Sequence, residues 1–391
     1  MPSQHEPSPR PARIAVDLTT FTGGGEPGGL KLFVFGFLQW IAQARGNEFS
    51  FIYFTRQSLV PEVEAFRRET DLNVCVRPEE GGPAQPNPKP GLVWAPWGVQ
   101  SWRDRWPADL LYTPWGFSEL SRPDVPSVNL VADTLHRDLP GFLPPDEVAR
   151  RDEWFGRMLG KAAAVQCNSE FVSGQMRRHF EVPAEKLFVT HNAIQDQIVS
   201  AARERLAAPP STPYFFYPAN DWPHKNHERL LKAYAVYRRG AGGNAWDLVL
   251  TGHFTRDGEL RDKISQLGIA DGCRMLGYLG RAEFAPAFRD AGALVFPSLY
   301  EGFGIPVLEA MALGVPIACA GVASVPEVAG DAALFFDPYK VADIAGALAR
   351  ISCDAELRRK LAARGLERVA TFSIEREAGR LADRFLSIAR P

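Results

Sequence analysis

The chain has 391 residues, of which 46% are hydrophobic, and its formal net charge at pH 7 is −2. Because this length exceeds what one hydrophobic core normally serves, two domains are expected, and the apolar content excludes a chain that is disordered throughout. The nearly balanced charge argues against a protein that binds nucleic acid by bulk attraction to phosphate. The five cysteines lie far apart in the sequence, which favours neither a disulfide framework nor a zinc site and fits a reducing cytoplasm.

The amino-terminal residues 1–12 are rich in proline and serine and contain no apolar segment of the kind found in signal peptides. We therefore predict that they form a disordered leader. No run of about 18 apolar residues occurs in the sequence, so no membrane-spanning helix is predicted.

Residues 13–195 are predicted to form a first domain of alternating strands and helices. Arg13–Leu18 has the composition of a buried strand, a glycine-rich loop follows at residues 22–29, and Leu30–Ala44 is predicted to be an apolar helix. The loop lacks both the G-x-G-x-x-G spacing of dinucleotide-binding proteins and the lysine of a P-loop. Its glycines alone therefore leave open whether it is a flexible turn or a ligand-binding loop.

Tryptophans are concentrated between residues 94 and 115. The cluster comprises Trp94, Trp97, Trp102, Trp106 and Trp115. The face of a tryptophan stacks well on a sugar ring, although core packing is its more frequent role. We hypothesise that one or two of these residues line a sugar-binding site.

Residues 196–213 are predicted to be a linker, because several prolines stand close together near the end of this segment. Residues 214–370 are predicted to form a second doubly wound domain. Its first strand is expected at Tyr214–Pro218, where aromatic residues form a short apolar run.

A lysine follows this strand in an unusual position. The helix His227–Arg238 is predicted to begin after Asn226, which would cap it, so Lys225 would lie beside the positive end of the helix dipole. A bound anion such as pyrophosphate would compensate for this unfavourable position. The alternative is an ordinary solvated loop lysine.

The stretch from residue 293 to residue 314 carries the strongest signal in the chain. Ala293–Phe296 has the composition of a buried parallel strand. Val307–Leu313 is predicted to be a helix, with Pro306 at its first position and Gly314 at its end.

The loop between this strand and this helix is predicted to be a ligand site. Gly302 and Gly304 would let the backbone approach a ligand closely, and the helix N-terminus would attract an anion. Glu309 is expected in the first turn of the helix, where its carboxylate would accept hydrogen bonds from hydroxyl groups such as those of a ribose. Glu301, at the strand end, would point into the same crevice.

Each acidic residue also has a purely structural interpretation. Glu309 could complement the helix dipole, and Ser298 with Glu301 has the spacing of a capping box, although no helix follows them directly. Further along, Ser324 and Glu327 fit a capping box at the start of the next helix, and capping is the role that we predict for both.

The sequence of residues 301–309, Glu-Gly-Phe-Gly-Ile-Pro-Val-Leu-Glu, resembles the E-x7-E motif of the family 4 retaining glycosyltransferases. The flanking residues 296–298 and 314–317 match the same pattern, and the similarity extends from about residue 12 to about residue 385. The resemblance implies the α/β fold called GT-B, in which two doubly wound, Rossmann-like domains face each other across a cleft. It also implies that residues 371–391 form a helix that crosses back to the first domain.

The resemblance assigns candidate site residues. Those implied to be catalytic are Glu301, His136, Asp133 and Lys225. Those implied to bind the sugar nucleotide are Glu309, Gly302, Phe303, Gly304, Ile305, Pro306, Val307, Lys225, Tyr278, Leu279, Gly28 and Gly29. The pair at 28–29 would lie beside the donor phosphate and the acceptor.

By the same resemblance, Glu301 would bind hydroxyl groups of the donor sugar, Glu309 the ribose and Lys225 the pyrophosphate. Tyr278 and Leu279 would lie near the nucleotide base. The charge that grows on the leaving diphosphate would be stabilised by a lysine and a helix end, with no metal ion and no cofactor.

Three positions depart from the family pattern, and the mildest is Ala193, since relatives usually carry Asn-Gly where this chain has Asn192 and Ala193. Many relatives carry a His-Asp pair after the strand 127–132, whereas this chain has Ala132 followed by Asp133, with His136 three residues later. Whether Asp133 or His136 takes the role of the usual histidine is left open. An arginine is also expected near position 219, which is alanine. The candidates to compensate for it are His224, His227 and Arg281.

The function implied is retaining transfer of a sugar, by preference mannose, from a GDP- or UDP-sugar to a glycan or lipid-linked acceptor in bacterial surface polysaccharide assembly. The location implied is the cytoplasm, including the inner face of the membrane, with at most peripheral membrane contact and no nucleic acid partner. The alternatives are a sugar-nucleotide epimerase of the same fold and a non-catalytic relative that binds sugar nucleotides.

Overall fold

Two parallel β-sheets flanked by helices organise the chain. The structure is a computed structural model that describes residues 10–21, 28–77, 91–94, 102–116, 118–194, 198, 200 and 213–390. Most of the predicted leader and linker, the loop 22–27 and Trp97 lie outside these residues, as do the side chains of Trp94 and Arg281. Within the described ranges, no helix has the length and apolar character needed to cross a bilayer.

The first sheet has eight described strands, all of which pair in parallel. They are β1 (Ala12–Asp17), β2 (Phe49–Arg56), β3 (Leu72–Arg77), β4 (Leu92–Trp94), β5 (Leu110–Thr113), β6 (Ser127–Val131), β7 (Ala162–Cys167) and β8 (Leu187–Val189). Their order is β4-β3-β2-β1-β5-β6-β7-β8. The helices that accompany them are α1 (Gly28–Ala44), α2 (Val60–Glu64), α3 (Trp102–Arg105), α4 (Leu135–Asp138), α5 (Pro145–Leu159) and α6 (Glu170–Phe180).

The second sheet has six described strands, again parallel. They are β9 (Tyr214–Pro218), β10 (Asp247–Thr251), β11 (Cys273–Met275), β12 (Ala293–Phe296), β13 (Ile317–Ala320) and β14 (Ala333–Phe336). Their order, β11-β10-β9-β12-β13-β14, reverses between β9 and β12, as in dinucleotide-binding folds. The helices are α7 (His227–Ala241), α8 (Asp257–Gln266), α9 (Arg281–Arg289), α10 (Ile305–Leu313), α11 (Val325–Ala329), α12 (Val341–Cys353), α13 (Ala355–Val369) and α14 (Ile374–Ala389).

These sheets confirm the prediction of two doubly wound α/β domains. We call the part built on the first sheet the N-terminal domain and the part built on the second sheet the C-terminal domain. The last helix, α14, packs into the core of the N-terminal domain through Ala378, Leu381 and Phe385. The Phe385 ring lies 5.1 Å from the ring of Tyr112 and 6.5 Å from that of Phe49, between ring centroids. The end of the chain therefore joins the two domains a second time.

The tryptophan cluster divides between core and surface. Trp102 and Trp106 are buried and their rings lie 5.3 and 5.8 Å from that of Phe54, so both serve the core. Trp115 has 41% of its surface exposed and lies beyond the end of β5. Of the tryptophans whose side chains are described, Trp115 is therefore the one in this cluster that is open to a ligand.

The two domains touch at backbone level next to the predicted loop site. A Cβ atom placed on Gly302 would overlap the carbonyl oxygen of Ala132, which follows β6 in the N-terminal domain. The Ser169 hydroxyl donates a hydrogen bond of 2.6 Å to the Gly302 carbonyl oxygen. The Tyr300 hydroxyl accepts the Thr134 N–H at 2.9 Å. The loop before α10 is thus held against the N-terminal domain on both sides.

Glu327 makes a second connection, and here the predicted capping box is wrong. Ser324 has helical backbone angles and its hydroxyl donates to the Glu301 carbonyl oxygen at 2.9 Å, so it does not cap α11. The Glu327 carboxylate instead accepts the N–H groups of Glu170 and Phe171, at 2.8 and 2.9 Å. It therefore satisfies the first two N–H groups of α6, a helix of the opposite domain, while the Ser169 side chain caps the third.

His191 brings a third segment to this connection. Its Nε2 atom lies 2.8 Å from Glu327, its N–H donates to Glu377 of α14 at 3.0 Å, and its Nδ1 atom lies 3.7 Å from Glu377. Burial alone would lower the pKa of His191, but its interactions with the two carboxylates outweigh burial and raise the pKa to about 9. Arg376 and Arg380 also contact Glu377.

Replacing Gly302 with alanine should separate the domains, because the added methyl group meets a backbone carbonyl that cannot rotate away. We expect destabilisation of the closed arrangement by about 1–3 kcal/mol and a larger radius of gyration in small-angle X-ray scattering. Gly346→Ala in α12 is the matched control, since a Cβ there meets nothing within 4 Å. An unchanged scattering curve for Gly302→Ala would contradict this contact.

The stability of the protein should fall between about pH 6.5 and pH 9 because of His191. Its pKa is higher in the folded chain than in the unfolded chain, so the stabilisation is complete below about pH 6.5 and is lost as the pH rises through about 9. Thermal unfolding measured across this range should show a flatter pH profile for His191→Gln than for the wild type. Parallel profiles would rule out this contribution.

Candidate functional site

The switch point of the second sheet brings Lys225 and Glu301 together. The two residues follow β9 and β12, which are neighbours in the sheet, so both lie at the edge where such folds bind ligands. The Lys225 Nζ atom lies 2.7 Å from Glu301 Oε1, and about 15% and 12% of the two side chains is exposed. The unfavourable position predicted for Lys225 is therefore compensated by the carboxylate of Glu301.

Asn226 ties the two loops together. It is the residue before α7, as predicted, but its side chain does not cap that helix. Its Nδ2 atom donates to the carbonyl oxygens of Pro297 and Pro338, at 3.0 and 2.9 Å. Its φ of 65° is in the left-handed region, which asparagine adopts more readily than most residues. This side chain therefore helps to keep the Lys225 loop beside the Glu301 loop.

The loop after Glu301 leads into an open helix N-terminus. Gly304 has a φ of 97°, a conformation that favours glycine, and α10 begins at Ile305 with Pro306 second. No side chain among the described residues caps this end. A Cβ atom on Gly29 would collide with the side chain of Ile305, so the start of α1 lies directly against the start of α10.

Glu309 lies in the second turn of α10, and the prediction of a first-turn position is wrong. The helix begins two residues earlier than expected, because Gly304 already turns the chain into it. Since the helix dipole acts mainly within the first turn, complementing the dipole does not account for Glu309. Its side chain instead lines a narrow pocket between the domains, together with Gly29, Phe33 and Asn192.

Two hydrogen-bond acceptors in this pocket have no hydrogen-bond donor among the described residues. No hydrogen-bond donor or cation in the described part of the chain contacts the Glu309 carboxylate, and burial raises its pKa to about 8. The buried side-chain oxygen of Asn192 also has no hydrogen-bond partner among the described residues. Unpaired acceptors of this kind are costly and are typical of ligand sites. A ligand with adjacent hydroxyl groups would satisfy both.

Asp133 reaches the same boundary from the N-terminal domain. Its Cβ atom lies 3.4 Å from the position of a Cβ on Gly302, and 42% of its side chain is exposed. Its Oδ1 atom accepts the Leu135 N–H at 3.1 Å and lies 3.6 Å from Nη1 of Arg151. The structure therefore places Asp133 next to the loop that carries Glu301.

His136 does not join this group. Its side chain is fully buried, with its ring centroid 4.7 Å from that of Phe155 and 5.9 Å from that of Phe180. Its Nε2 atom lies 3.4 Å from Asp152, and burial lowers its pKa. Of the two candidates left open by the sequence, Asp133 is at the cleft and His136 is in the packing between helices.

The remaining predicted binding residues divide between core and surface. Phe303 and Val307 are buried in the C-terminal core, so they can offer a ligand their backbone only. Tyr278 is half-exposed and its ring stacks on that of His253 at 4.5 Å, while Leu279 is partly exposed beside it. Gly28 is the first residue of α1, next to Gly29.

The two histidines proposed to replace a missing arginine carry no charge near neutral pH. Burial, followed by the nearby charges of Lys225 and Arg151, lowers the pKa of His224 to about 3. Burial likewise lowers the pKa of His227 to about 4. Without a positive charge, neither imidazole offers what a guanidinium at position 219 would supply.

Sequence reasoning gave no role in the site to Asn192 or Tyr300, because each acts across the domain boundary and neither stands in a local pattern that would single it out. Ser169 does stand in such a pattern, that of a helix N-cap, and it caps α6 by accepting the Val172 N–H at 3.1 Å. Its hydrogen bond to Gly302 has no local signal. Glu327 was noticed, but as a helix cap of its own domain.

Comparison with known proteins identifies the relatives of this arrangement. The Glyco_transf_4 model, described as Glycosyltransferase Family 4, matches residues 27–198, and the Glycos_transf_1 model, Glycosyl transferases group 1, matches residues 199–368. O-antigen chain mannosyltransferase B of Escherichia coli is 31% identical over 243 residues, which make up 60% of this chain and 64% of that protein. This chain thus spans somewhat less than two thirds of that relative.

Solved structures share the fold over nearly the whole chain. Sucrose-phosphate synthase from Thermosynechococcus elongatus superposes with a TM-score of 0.72 and 19% identity, covering 96% of this chain and 99% of that one. Anabaena HepE in complex with UDP and glucose gives a TM-score of 0.69 and 16% identity, covering 96% and 100%. With the two family models matching residues 27–368 in succession, this chain belongs to the family 4, group 1 glycosyltransferases and has their GT-B fold.

Proposed function

We propose that this protein transfers a sugar, with retention of configuration at the anomeric carbon, from a nucleoside diphosphate sugar to a glycan or lipid-linked acceptor. The observation that carries the proposal is the Lys225–Glu301 pair beside an open helix N-terminus, with the unpaired Glu309 on the same helix. A cation and free N–H groups suit phosphate, whereas carboxylates suit hydroxyl groups. A nucleoside diphosphate sugar presents both kinds of group in one molecule.

The proposed roles follow from these positions. The diphosphate would lie against Lys225 and the N–H groups at the start of α10, with Gly28 and Gly29 closing over it. The ribose hydroxyls would donate to Glu309 and Asn192. Glu301 would exchange part of its contact with Lys225 for hydroxyl groups of the donor sugar.

Charge stabilisation is the main catalytic contribution in this proposal. As the bond between the anomeric carbon and the diphosphate breaks, negative charge grows on the phosphate oxygen that leaves. Lys225 and the helix N-terminus are in place before the reaction, so they need no reorganisation to stabilise that charge. We propose that they do so without a metal ion, in which case chelation with EDTA leaves the rate unchanged.

The transferred sugar is proposed to be mannose. The support is the similarity to the E. coli O-antigen chain mannosyltransferase, which also favours surface polysaccharide assembly as the setting. GDP- and UDP-sugars are both to be tested as donors, since the HepE structure contains UDP.

We further propose that Tyr278 and Leu279 flank the nucleotide base and that Trp115 contacts the acceptor. The reaction is proposed to take place in the cytoplasm, with peripheral membrane contact.

Lys225→Ala should weaken binding of the nucleoside diphosphate by about tenfold and lower kcat by about 10²-fold, since the charge it meets is largest in the transition state. Isothermal titration with GDP and UDP and steady-state kinetics would measure the two effects. Lys232→Ala in α7 is the control, because its ion pair with Glu228 is at the surface. Binding and turnover equal to the wild type would exclude the role proposed for Lys225.

Glu309→Gln should lower kcat/KM for the donor by about 10²-fold, or roughly 2.7 kcal/mol, while it stabilises the protein without ligand. The folded-state pKa of about 8 lies above the unfolded value, so ionisation of Glu309 lowers the stability of the wild type as the pH rises from about 4.5 to 8. The gain in Tm should therefore be larger at pH 8 than at pH 5. The exposed Glu356→Gln serves as control.

A loss of activity in Glu309→Gln together with a loss of stability at pH 8 would mean that the carboxylate is structural. A rate close to that of the wild type would remove Glu309 from the donor site.

A further inference from the structure

We infer that Arg151, from α5 of the N-terminal domain, is a second cation for the donor diphosphate and faces Lys225 across the cleft. This inference rests on the function proposed above. It adds a residue to the site that no local pattern in the sequence indicates.

The guanidinium of Arg151 lies at the domain boundary. Its Nη1 atom is 3.6 Å from Asp133 Oδ1, and Asp133 in turn lies against the Gly302 loop. The residue before Gly302 is Glu301, which holds Lys225. Two cation–carboxylate pairs, one from each domain, therefore meet on either side of the contact between Ala132 and Gly302.

The positive charge of Arg151 also affects the pKa of His224, a residue of the C-terminal domain. His224, the neighbour of Lys225 in the sequence, is neutral mainly because it is buried, and the positive charges of Lys225 and Arg151 lower its pKa further. Geometry relates the two cations as well: Arg151 pairs with Asp133, which lies against Gly302, and Lys225 pairs with Glu301, which precedes Gly302. Both cations therefore pair with carboxylates that border the same loop.

Arg151 also has hydrogen-bonding capacity to spare. Its Nε atom donates to Glu147 at 2.7 Å, but in the described part of the chain its two terminal nitrogens make no hydrogen bond, since 3.6 Å to Asp133 is too long. About 30% of its side chain is exposed. A guanidinium whose two terminal nitrogens make no hydrogen bond matches the oxygens of a phosphate in a two-point contact.

Two arginines of the C-terminal domain near this loop, among those whose side chains are described, also have partners. Arg229 donates to Asn226 at 3.0 Å, and Arg256 donates to the Asp221 carbonyl oxygen. Lys225 likewise has one carboxylate partner. Arg151 differs from these residues in belonging to the N-terminal domain, so it would bring positive charge to the diphosphate from the opposite side of the boundary.

Arg151 would act on the oxygen that leaves in the chemical step. The bond between the anomeric carbon and the β-phosphate oxygen breaks with its electron pair left on that oxygen, while the acceptor oxygen bonds to the carbon and gives its proton to the diphosphate. Because Arg151 belongs to the N-terminal domain, it can stabilise the leaving oxygen only when the domains are closed. Departure of the diphosphate is thereby linked to closure.

The test compares Arg151→Gln with Arg150→Gln. The two arginines are adjacent in α5 and both pair with Glu147, but the Arg150 side chain is half-exposed and lies over Trp154. Titration calorimetry with UDP, UMP, GDP and GMP measures binding, and donor turnover measures kcat. We expect Arg151→Gln to weaken binding of the diphosphates at least tenfold and of the monophosphates less than threefold, with kcat lowered about 10²-fold. Arg150→Gln should match the wild type.

If Arg151→Gln bound UDP and GDP as tightly as the wild type does and had the same kcat, the inference would be overturned. The proposed function would still stand. Equal losses for diphosphates and monophosphates, or equal losses in both variants, would also overturn it, because they would indicate a structural role. If the wild type bound neither diphosphate, the proposed function would fail together with the inference. Should Arg151→Gln fail to fold, Arg151→Lys decides: a diphosphate affinity between a third and a tenth of the wild-type value is expected, and full affinity would overturn the two-point contact.

Discussion

The ion pair between Lys225 and Glu301 is the interaction on which the candidate site depends. A pair of charges in a partly buried crevice is a weak source of stability, because both groups lose water when they are brought together. Its position at the switch point of the C-terminal sheet nevertheless places a cation and an acceptor side by side next to a free helix N-terminus. The same loop contacts the N-terminal domain through Gly302, so the pair also lies where the domains meet.

The domain boundary is built from polar contacts that depend on close backbone approach. Glu327 satisfies the N-terminus of α6, Ser169 donates to Gly302, and His191 joins Glu327 to the last helix. These bonds join residues of the two domains, so each contributes to holding the domains together. A polar boundary of this kind can open at lower cost than an apolar one, which suits a site that must admit a substrate and release a product.

The hydrogen-bond acceptors in the pocket take no part in these polar contacts of the domain boundary. The Glu309 carboxylate and the side-chain oxygen of Asn192 have no hydrogen-bond partner among the described residues although both residues are at least partly buried, and such an arrangement lowers stability without compensation from the protein itself. Features that lower stability, such as unpaired buried acceptors, are most often retained where a ligand supplies the missing interactions. The pocket therefore adds an argument for a ligand that is independent of any similarity to other proteins.

Local sequence patterns predicted the elements around the site well. The strand Ala293–Phe296 was predicted with its observed bounds, and Gly314 ends α10 in the left-handed conformation that favours glycine. The start of α10 was missed by two residues, and with it the turn that carries Glu309. Periodicity and glycine conformation are local properties, but the residue at which a helix begins depends on how the preceding loop is held, here against another domain.

The sequence by itself determined the two doubly wound domains and the residues that follow the strands of the C-terminal sheet at its switch point, because both depend on short-range patterns of apolar residues, glycine and proline. Only the tertiary structure decided which side chains meet. It paired Lys225 with Glu301, buried His136 away from the cleft, and turned Glu327 toward the opposite domain. Contacts between residues 76 and 156 positions apart follow from the packing of the elements, and no local pattern encodes that packing.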